Sequence, residues 1–231
     1  MWTSVFDHVN PRSTVLGALS TVLILSLTCS MSMRYGHADV PIAETADLVQ
    51  PIAVGQVAPR FEVRTVENKP IVFDPRELER PVVLITFRGG WCPFCNMHLS
   101  ELKDVVSDID ALGVDVLFLS GDRPDMLYST LSRETQEDIA GLDYTILSDA
   151  DVQAAVALGV AFKASQRTID RRKEKGQDID DSSMLRHGVL PVPAVFAIGQ
   201  DGVVAFAYAN PDYKVRLPAD ELLAVIREIV Q

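Results

Sequence analysis

Apolar residues along this chain recur with two periods, one typical of strands and the other of helices. Residues 81–87 and 114–120 are continuous apolar runs, which predict buried strands. Between them, residues 96–112 predict a helix, because one apolar stripe recurs at helical spacing: Leu99, Leu102, Val106 and Ile109. A buried strand, a helix and a second buried strand in this order indicate an α/β protein.

The flanking segments complete a mixed sheet. Residues 61–66 and 71–73 predict an N-terminal hairpin, and 193–198 with 203–207 predict a second one around a Gln-Asp-Gly turn. Further patterns predict helices over 124–135, 149–158 and 218–230 and a short strand over 144–147. The predicted fold is therefore α/β and thioredoxin-like, with a central mixed sheet flanked by helices.

One segment of this predicted domain is strongly charged. Residues 163–187 are poor in apolar residues, and their acidic and basic side chains nearly cancel. We interpret the segment as a charged helical insertion, either solvated or acting as a lid, and not as a binding patch.

The N-terminal region differs from the rest of the chain. Residues 13–33 carry no charge, and small residues at 36–38 stand at the usual cleavage spacing. Residues 1–38 are therefore predicted to be a signal peptide or an N-terminal membrane anchor, residues 39–54 a linker, and residues 55–231 the folded domain. We expect an extracytoplasmic protein (periplasmic or secreted), or one anchored to a membrane only through this segment; a cytoplasmic protein with a misassigned start codon is the alternative.

Composition narrows the range of partners. The chain has 231 residues and a formal net charge of -11, which argues against nucleic acid and anionic membrane surfaces as partners. Two of its three cysteines lie close together, and the third, Cys29, falls in the apolar N-terminal segment. The folded part is therefore not expected to contain a disulfide framework.

The candidate chemistry lies in Trp91-Cys92-Pro93-Phe94-Cys95, where a predicted strand gives way to a predicted helix. The unpaired N–H groups and the dipole of a helix start favour a thiolate, and a second cysteine three residues later can close a disulfide. Cys92 and Cys95 are thus predicted to be catalytic, with Pro93 on the first helical turn. Trp91 either covers the sulfurs or is a packing residue.

Two other interpretations of the dithiol are weaker. Cys92, Cys95 and His98 have metal-like spacing, but a structural zinc site needs a fourth ligand that no second cluster supplies. A purely structural disulfide would close too short a loop to constrain the unfolded chain much. We therefore expect redox chemistry without a metal, flavin or nucleotide cofactor.

Three segments resemble a known family. Residues 55–61 (GQVAPRF) resemble the entry segment of AhpC/TSA, or redoxin, proteins; residues 87–96 (FRGGWCPFCN) resemble their peroxiredoxin-like branch; and residues 212–216 (DYKVR) resemble its ending. The resemblance covers about residues 55–231. It implies a thioredoxin fold, antioxidant peroxidase activity, a peroxide substrate and a thioredoxin-like thiol reductant.

The chain also departs from that family. Counted from Phe87, the family's peroxidatic cysteine falls on Cys95, and the position of its activating arginine falls on Pro193. A proline is what thioredoxins have there, so Pro193 is predicted to be cis and to face the dithiol, the alternative being an ordinary strand entry. Thr86 stands where thioredoxins have a buried acid. Arg88 either stabilises the thiolate or is a surface cation.

Three functions remain open at this point. The first is a thioredoxin-dependent thiol peroxidase in which Cys92 attacks peroxide and Cys95 condenses with the sulfenic acid. The second is an extracytoplasmic thiol-disulfide oxidoreductase, and the third is a redox-sensing binding module. The register leaves it open which of the two cysteines is attacked first.

Overall fold

A seven-stranded mixed sheet organises the part of the chain that the structure, a computed structural model, describes, namely residues 41–230. The predicted leader, residues 1–38, lies outside the described residues. The strands are β1 Phe61–Arg64, β2 Pro70–Phe73, β3 Val82–Phe87, β4 Asp115–Ser120, β5 Thr145–Ser148, β6 Ala161–Lys163, β7 Val189–Pro191, β8 Ala194–Ile198 and β9 Val204–Ala209. The helices are α1 Pro93–Ala111, α2 Arg133–Asp138, α3 Gln153–Ala157, α4 Gln166–Glu174, α5 Ser183–His187 and α6 Ala219–Ile229.

The strand order explains why β3 is buried along its whole length. The sheet runs β2-β1-β5-β4-β3-β8-β9, with β3, β4 and β5 parallel and the other pairs antiparallel. All six residues of β3 are buried, because this strand lies between two neighbours with structure on both faces of the sheet. The predicted α/β, thioredoxin-like fold with an N-terminal hairpin and helices around a mixed sheet is confirmed.

The predicted helix over 124–135 is replaced by a turn and a shorter helix. A 3₁₀ helix spans Pro124–Met126, and α2 begins only at Arg133. The Thr130 hydroxyl lies 2.8 Å from the Asp122 carboxylate and 2.9 Å from the Met126 carbonyl, and the Ser132 hydroxyl accepts the N–H of Thr135. Side-chain hydrogen bonds to the backbone thus end one helix and start the next.

Residues 42–52 pack against the domain, although the sequence analysis expected a linker over 39–54. Ala43 N donates to Ala161 O (3.0 Å), and Lys163 N donates to Ala43 O (2.8 Å), which extends the small β6–β7 sheet. Five partly buried side chains of this segment pack on the core: Ile42, Ala43, Ala46, Val49 and Ile52. Within this segment only Ala46–Leu48 is helical, as a short 3₁₀ helix, so the contact is made largely by irregular backbone, which sequence periodicity does not predict.

Gly159 provides a test of this packing. Its φ is +70°, and a Cβ there would come within 2.0 Å of the Gln50 carbonyl oxygen. Gly113, which follows α1 as Gly159 follows α3, has a φ of +79° and open space around its Cβ position. We expect Gly159→Ala to lower the free energy of unfolding by at least 2 kcal/mol more than Gly113→Ala, a rough figure for backbone overpacking. Urea denaturation measures both, and equal losses would contradict the packing of residues 42–52.

Candidate active site

The dithiol lies where β3 ends and α1 begins, as predicted. Cys92 is the N-cap of α1 and Pro93 its first residue, and Cys95 N and Asn96 N both donate to Cys92 O at 3.0 and 3.1 Å. Both cysteines are free thiols and each is only 1 % exposed. The start of α1 therefore holds two buried thiols next to each other.

Gly90 and two polar side chains shape the loop before the dithiol. A Cβ at Gly90 would meet the Leu131 backbone nitrogen at 2.6 Å, so a larger residue does not fit. Gly90 N donates to Asp122 at 2.7 Å, and the Asn96 amide donates to the carbonyls of Gly90 (2.6 Å) and Cys92 (3.0 Å). Asp122 and Asn96, which the sequence analysis did not single out, thus fix the backbone that carries Cys92.

The surroundings shift the pKa values of the two thiols in opposite directions. A hydrogen bond from the Cys95 thiol, assisted by the Cys95 backbone N–H and by the charges of Arg216 and Arg88, lowers the pKa of Cys92 to about 6 despite burial. Burial, together with the adjacent Cys92 sulfur, raises the pKa of Cys95 well above that of a free thiol. Cys92 is accordingly the thiolate at neutral pH, and Cys95 is the proton donor beside it.

Arg216 is a site residue that the sequence analysis missed. Its Nη2 lies 3.5 Å from Cys95 Sγ, and its charge lowers the pKa of both cysteines. It comes from the segment between β9 and α6, which was quoted only as part of the DYKVR resemblance. That resemblance was the available signal, because a cation within a matched motif is a candidate for the site.

Arg88 is partly buried beside the dithiol and is not a free surface cation. Its guanidinium carbon lies 4.4 Å from the Tyr213 ring centroid and 5.4 Å from that of Phe162. Burial lowers the pKa of Arg88, an effect that the two cysteine sulfurs oppose. Of the two interpretations offered above, this geometry favours a cation that stabilises the thiolate.

The charged insertion contacts the dithiol motif through Trp91. The Arg172 guanidinium lies 4.6 Å from the Trp91 ring centroid, and the Gln177 amide donates to Trp91 O at 3.2 Å. Arg123 binds Asp178 with two hydrogen bonds of 2.8 and 3.0 Å, which anchors the same segment to the domain. The insertion is therefore helical, as predicted, and docked over Trp91.

The prediction of a cis peptide bond at Pro193 is wrong, since residues 41–230 contain no cis peptide bond. The backbone on either side is already bonded: Val192 N donates to Val160 O at 2.9 Å, and Asn210 N donates to Pro193 O at 3.1 Å. Thr86 Oγ1 also donates to Val192 O (2.8 Å) and accepts from Ala194 N (3.0 Å). These hydrogen bonds hold Pro193 as an ordinary entry to β8. The trans isomer is also the intrinsically favoured one for a peptide bond that precedes proline.

Comparisons with known proteins agree with this geometry. The family model of the AhpC/TSA family matches residues 54–207. The chain belongs to the AhpC/TSA family. It is 28% identical to "Peroxiredoxin Bcp" of Escherichia coli over 112 residues, which are 48% of this chain and 67% of that protein. It is 22% identical to "Thiol-disulfide oxidoreductase ResA" of Bacillus cereus over 65% of this chain and 66% of that protein.

The comparison with solved structures agrees with the thioredoxin-like fold. A peroxiredoxin-like protein from Aquifex aeolicus superposes with a TM-score of 0.57 at 20% identity, covering 78% of this chain and 89% of that one. The predictions of a peroxiredoxin-like member of the thioredoxin superfamily and of a thiol-based oxidoreductase are confirmed.

The prediction of an extracytoplasmic or membrane-anchored location is wrong by these comparisons. The relatives matched at 28% and 29% identity are Bcp peroxiredoxins, and this similarity is what contradicts the prediction. Within residues 41–230, no helix is both long enough and apolar enough to cross a membrane. The apolar run of residues 13–33, on which that prediction relied, lies outside the described residues. An apolar N-terminal run was weak ground for assigning a location to the whole chain.

The ionisation of Cys92 can be measured by alkylation. Because only the thiolate reacts, we expect its rate with iodoacetamide to rise through about pH 6 and to level off above pH 7. Cys95→Ala should move this midpoint upward the most, since it removes the principal hydrogen bond, and Arg216→Met should move it upward by less. A midpoint near pH 8.5 in the wild type would contradict this arrangement.

The buried carboxyl of Asp122 predicts a pH dependence of stability. Burial raises its pKa to about 6, so its contribution to stability is complete below about pH 4 and is lost as the pH rises through 6. Relative to the wild type, Asp122→Asn should therefore gain about 2–3 kcal/mol in the free energy of unfolding between pH 4 and pH 7. Asp125→Asn, whose side chain is 69% exposed, is the matched control and should not show this trend. Parallel curves for Asp122→Asn and the wild type would refute the assignment.

Proposed function

We propose that this protein is a thioredoxin-dependent peroxiredoxin-like peroxidase that reduces hydrogen peroxide or organic peroxides through a Cys92–Cys95 dithiol/disulfide cycle. One observation carries the proposal: two buried free thiols adjoin each other at the start of α1, with the Arg216 guanidinium 3.5 Å from Cys95 Sγ, an arrangement that lowers the pKa of Cys92 and raises that of Cys95. A peroxidase needs such a pair, because one sulfur must attack as a thiolate while the other holds its proton until the second step.

The first step is attack by the Cys92 thiolate on the nearer peroxide oxygen. The S–O bond forms as the O–O bond breaks, Cys92 is oxidised to a sulfenic acid, and the leaving oxygen departs as hydroxide or alkoxide and takes up a proton. The charges of Arg216 and Arg88 act on the Cys92 sulfur, from which this negative charge moves to oxygen. Fixed cations beside the reacting atoms stabilise such a charge shift.

The second step needs Cys95 as a thiolate. Burial, the main cause of the raised pKa of Cys95, persists, but once Cys92 is a neutral sulfenic acid the contribution of its negative sulfur is gone. The charge of Arg216, whose Nη2 lies 3.5 Å from Cys95 Sγ, and the Arg88 backbone N–H still lower this pKa. Cys95 then displaces hydroxide from Cys92 and the disulfide forms. The two thiols thus ionise one after the other, Cys92 before the first step and Cys95 before the second. This order explains why their pKa values differ in the resting state.

The reductant and the remaining features complete the proposal. We propose that a thioredoxin-like dithiol reduces the disulfide, that no metal, flavin or nucleotide takes part, and that Trp91, Pro93, Arg88 and Arg216 support the two cysteines. We retain residues 55–231 as the catalytic domain, which the family match over residues 54–207 supports.

A thiol-disulfide oxidoreductase is the second candidate. The similarity to ResA covers 65% of this chain, more than the 48% covered by Bcp, and a Cys-x-x-Cys pair at a helix start suits that activity as well. Burial argues for peroxide as the first substrate, because each cysteine is only 1 % exposed and a peroxide is far smaller than a protein disulfide.

The cysteine variants test the peroxidase. In a Cys29→Ser background, Cys92→Ser should abolish peroxide consumption in stopped flow, because the attacking sulfur is lost. Cys95→Ser should consume one equivalent of peroxide and then stop, with a sulfenic acid that dimedone labels on Cys92. Thioredoxin and its reductase should sustain turnover only when both cysteines are present.

Other outcomes have distinct meanings. A dimedone adduct on Cys95 would reverse the two roles. Slow reaction with peroxide together with fast reduction of a protein disulfide would make the protein an oxidoreductase of the second kind. A single oxidation that thioredoxin cannot reverse would leave only the redox-sensing module.

A further inference from the structure

His98 is a buried side chain for which the proposed chemistry has no use. It lies on α1 one turn after Cys95 and is 6% exposed. Its spacing from the two cysteines suggested a metal ligand, but within residues 41–230 no group of three or more His, Cys, Asp or Glu side chains is placed to hold a metal ion. Its Nε2 lies 3.2 Å from the backbone oxygen of Leu217.

The acceptor of the His98 hydrogen bond, Leu217, is the residue next to Arg216. Residues 210–218 form no helix or strand, so regular backbone pairing does not fix the course of the chain there. Leu217 is buried, while Arg216 reaches back to Cys95 Sγ at 3.5 Å. Since α1 carries both Cys95 and His98, the sulfur and the anchor for the arginine segment lie on one rigid element.

The imidazole is suited to this role only when it is neutral. Burial, with Arg216 nearby, lowers the pKa of His98 to about 4, so the ring is uncharged at neutral pH. A carbonyl only accepts, so Nε2 carries the proton and donates it to Leu217 O. Besides Arg216, four charged side chains line the groove that His98 shares: Glu101, Asp104, Lys214 and Asp220. An uncharged donor holds the segment without repelling the arginine.

We propose that His98 is a positioning residue, whose hydrogen bond to Leu217 O holds the Arg216 guanidinium against the dithiol. In that position Arg216 helps to stabilise a thiolate on either sulfur and assists the resolving attack by Cys95. The second of these effects rests on the proposed peroxidase function, whereas the first is independent of it.

A double-mutant cycle between His98 and Arg216 tests the proposal on the full-length protein. His98→Leu and Arg216→Met should each raise the alkylation midpoint of Cys92 and slow disulfide formation after a single peroxide turnover by about three- to tenfold, the range expected for one hydrogen bond. The double variant should be no slower than Arg216→Met alone, because His98 acts through the arginine.

Two further variants separate positioning from packing. His98→Gln keeps a donor of similar reach and should recover most of the wild-type thiol acidity, whereas the shorter side chain of His98→Asn should not. These two polar variants also keep the test decisive if His98→Leu fails to fold. Additive effects in the double variant, or a Cys92 midpoint that no His98 substitution moves, would overturn the proposal.

The proposal and the peroxidase assignment can fail separately. If the wild type does not react with peroxide, the alkylation midpoints of the same variants still report on His98. A normal peroxide reaction with unchanged midpoints in His98→Leu would refute the positioning role alone. Zinc bound stoichiometrically by the wild type and lost in His98→Leu would show that His98 is a metal ligand instead.

Discussion

The structure of the site depends on the burial of two sulfurs side by side where β3 meets α1. Two negative charges about 4 Å apart repel by about 4 kcal/mol at an effective dielectric constant of about 20, which corresponds to about three pKa units. Only one sulfur can therefore be ionised, and the other keeps its proton and donates it. The surrounding groups determine which one, and here the helix start and the hydrogen bond from Cys95 favour ionisation of Cys92.

The loop before the dithiol makes this burial possible. Gly90 approaches the Leu131 backbone too closely for any side chain, and its amide and carbonyl are bonded to Asp122 and Asn96. Asn96 lies on α1 and also accepts the N–H of Ser132, the N-cap of α2, so loop, helix and the next segment form one hydrogen-bonded unit. Because the Gly90 amide, the Gly90 and Cys92 carbonyls and the Ser132 amide all have partners in this unit, the sulfurs can lie in a buried position without leaving these backbone groups unsatisfied.

The sequence was sufficient for the fold and for the two cysteines, but not for their surroundings. Continuous apolar runs predict β3 and β4 correctly because both faces of a central parallel strand are covered, and a helix start after β3 places Cys92 and Cys95. Asp122 and Arg216 reach the site through long-range contacts, which no local period encodes. Asn96 lies one turn after Cys92 on α1, but hydrophobic periodicity gives no signal for a polar side chain that bonds the preceding loop. The cis isomer expected at Pro193 came from analogy alone, and the backbone bonds around that residue determine its conformation instead.

The position of the arginine shows what the chemistry requires of the fold. The family pattern places an activating arginine on the strand that begins near residue 193, where this chain has a buried proline. Arg216, from the segment after β9, brings a guanidinium to the same pair of sulfurs, and Arg88 adds a second charge from the end of β3. A Coulombic effect depends on the distance between charges and on burial, not on the element that carries the cation. A chain can therefore supply the arginine from a different segment and still keep a thiol of low pKa, provided that this segment is held against the dithiol.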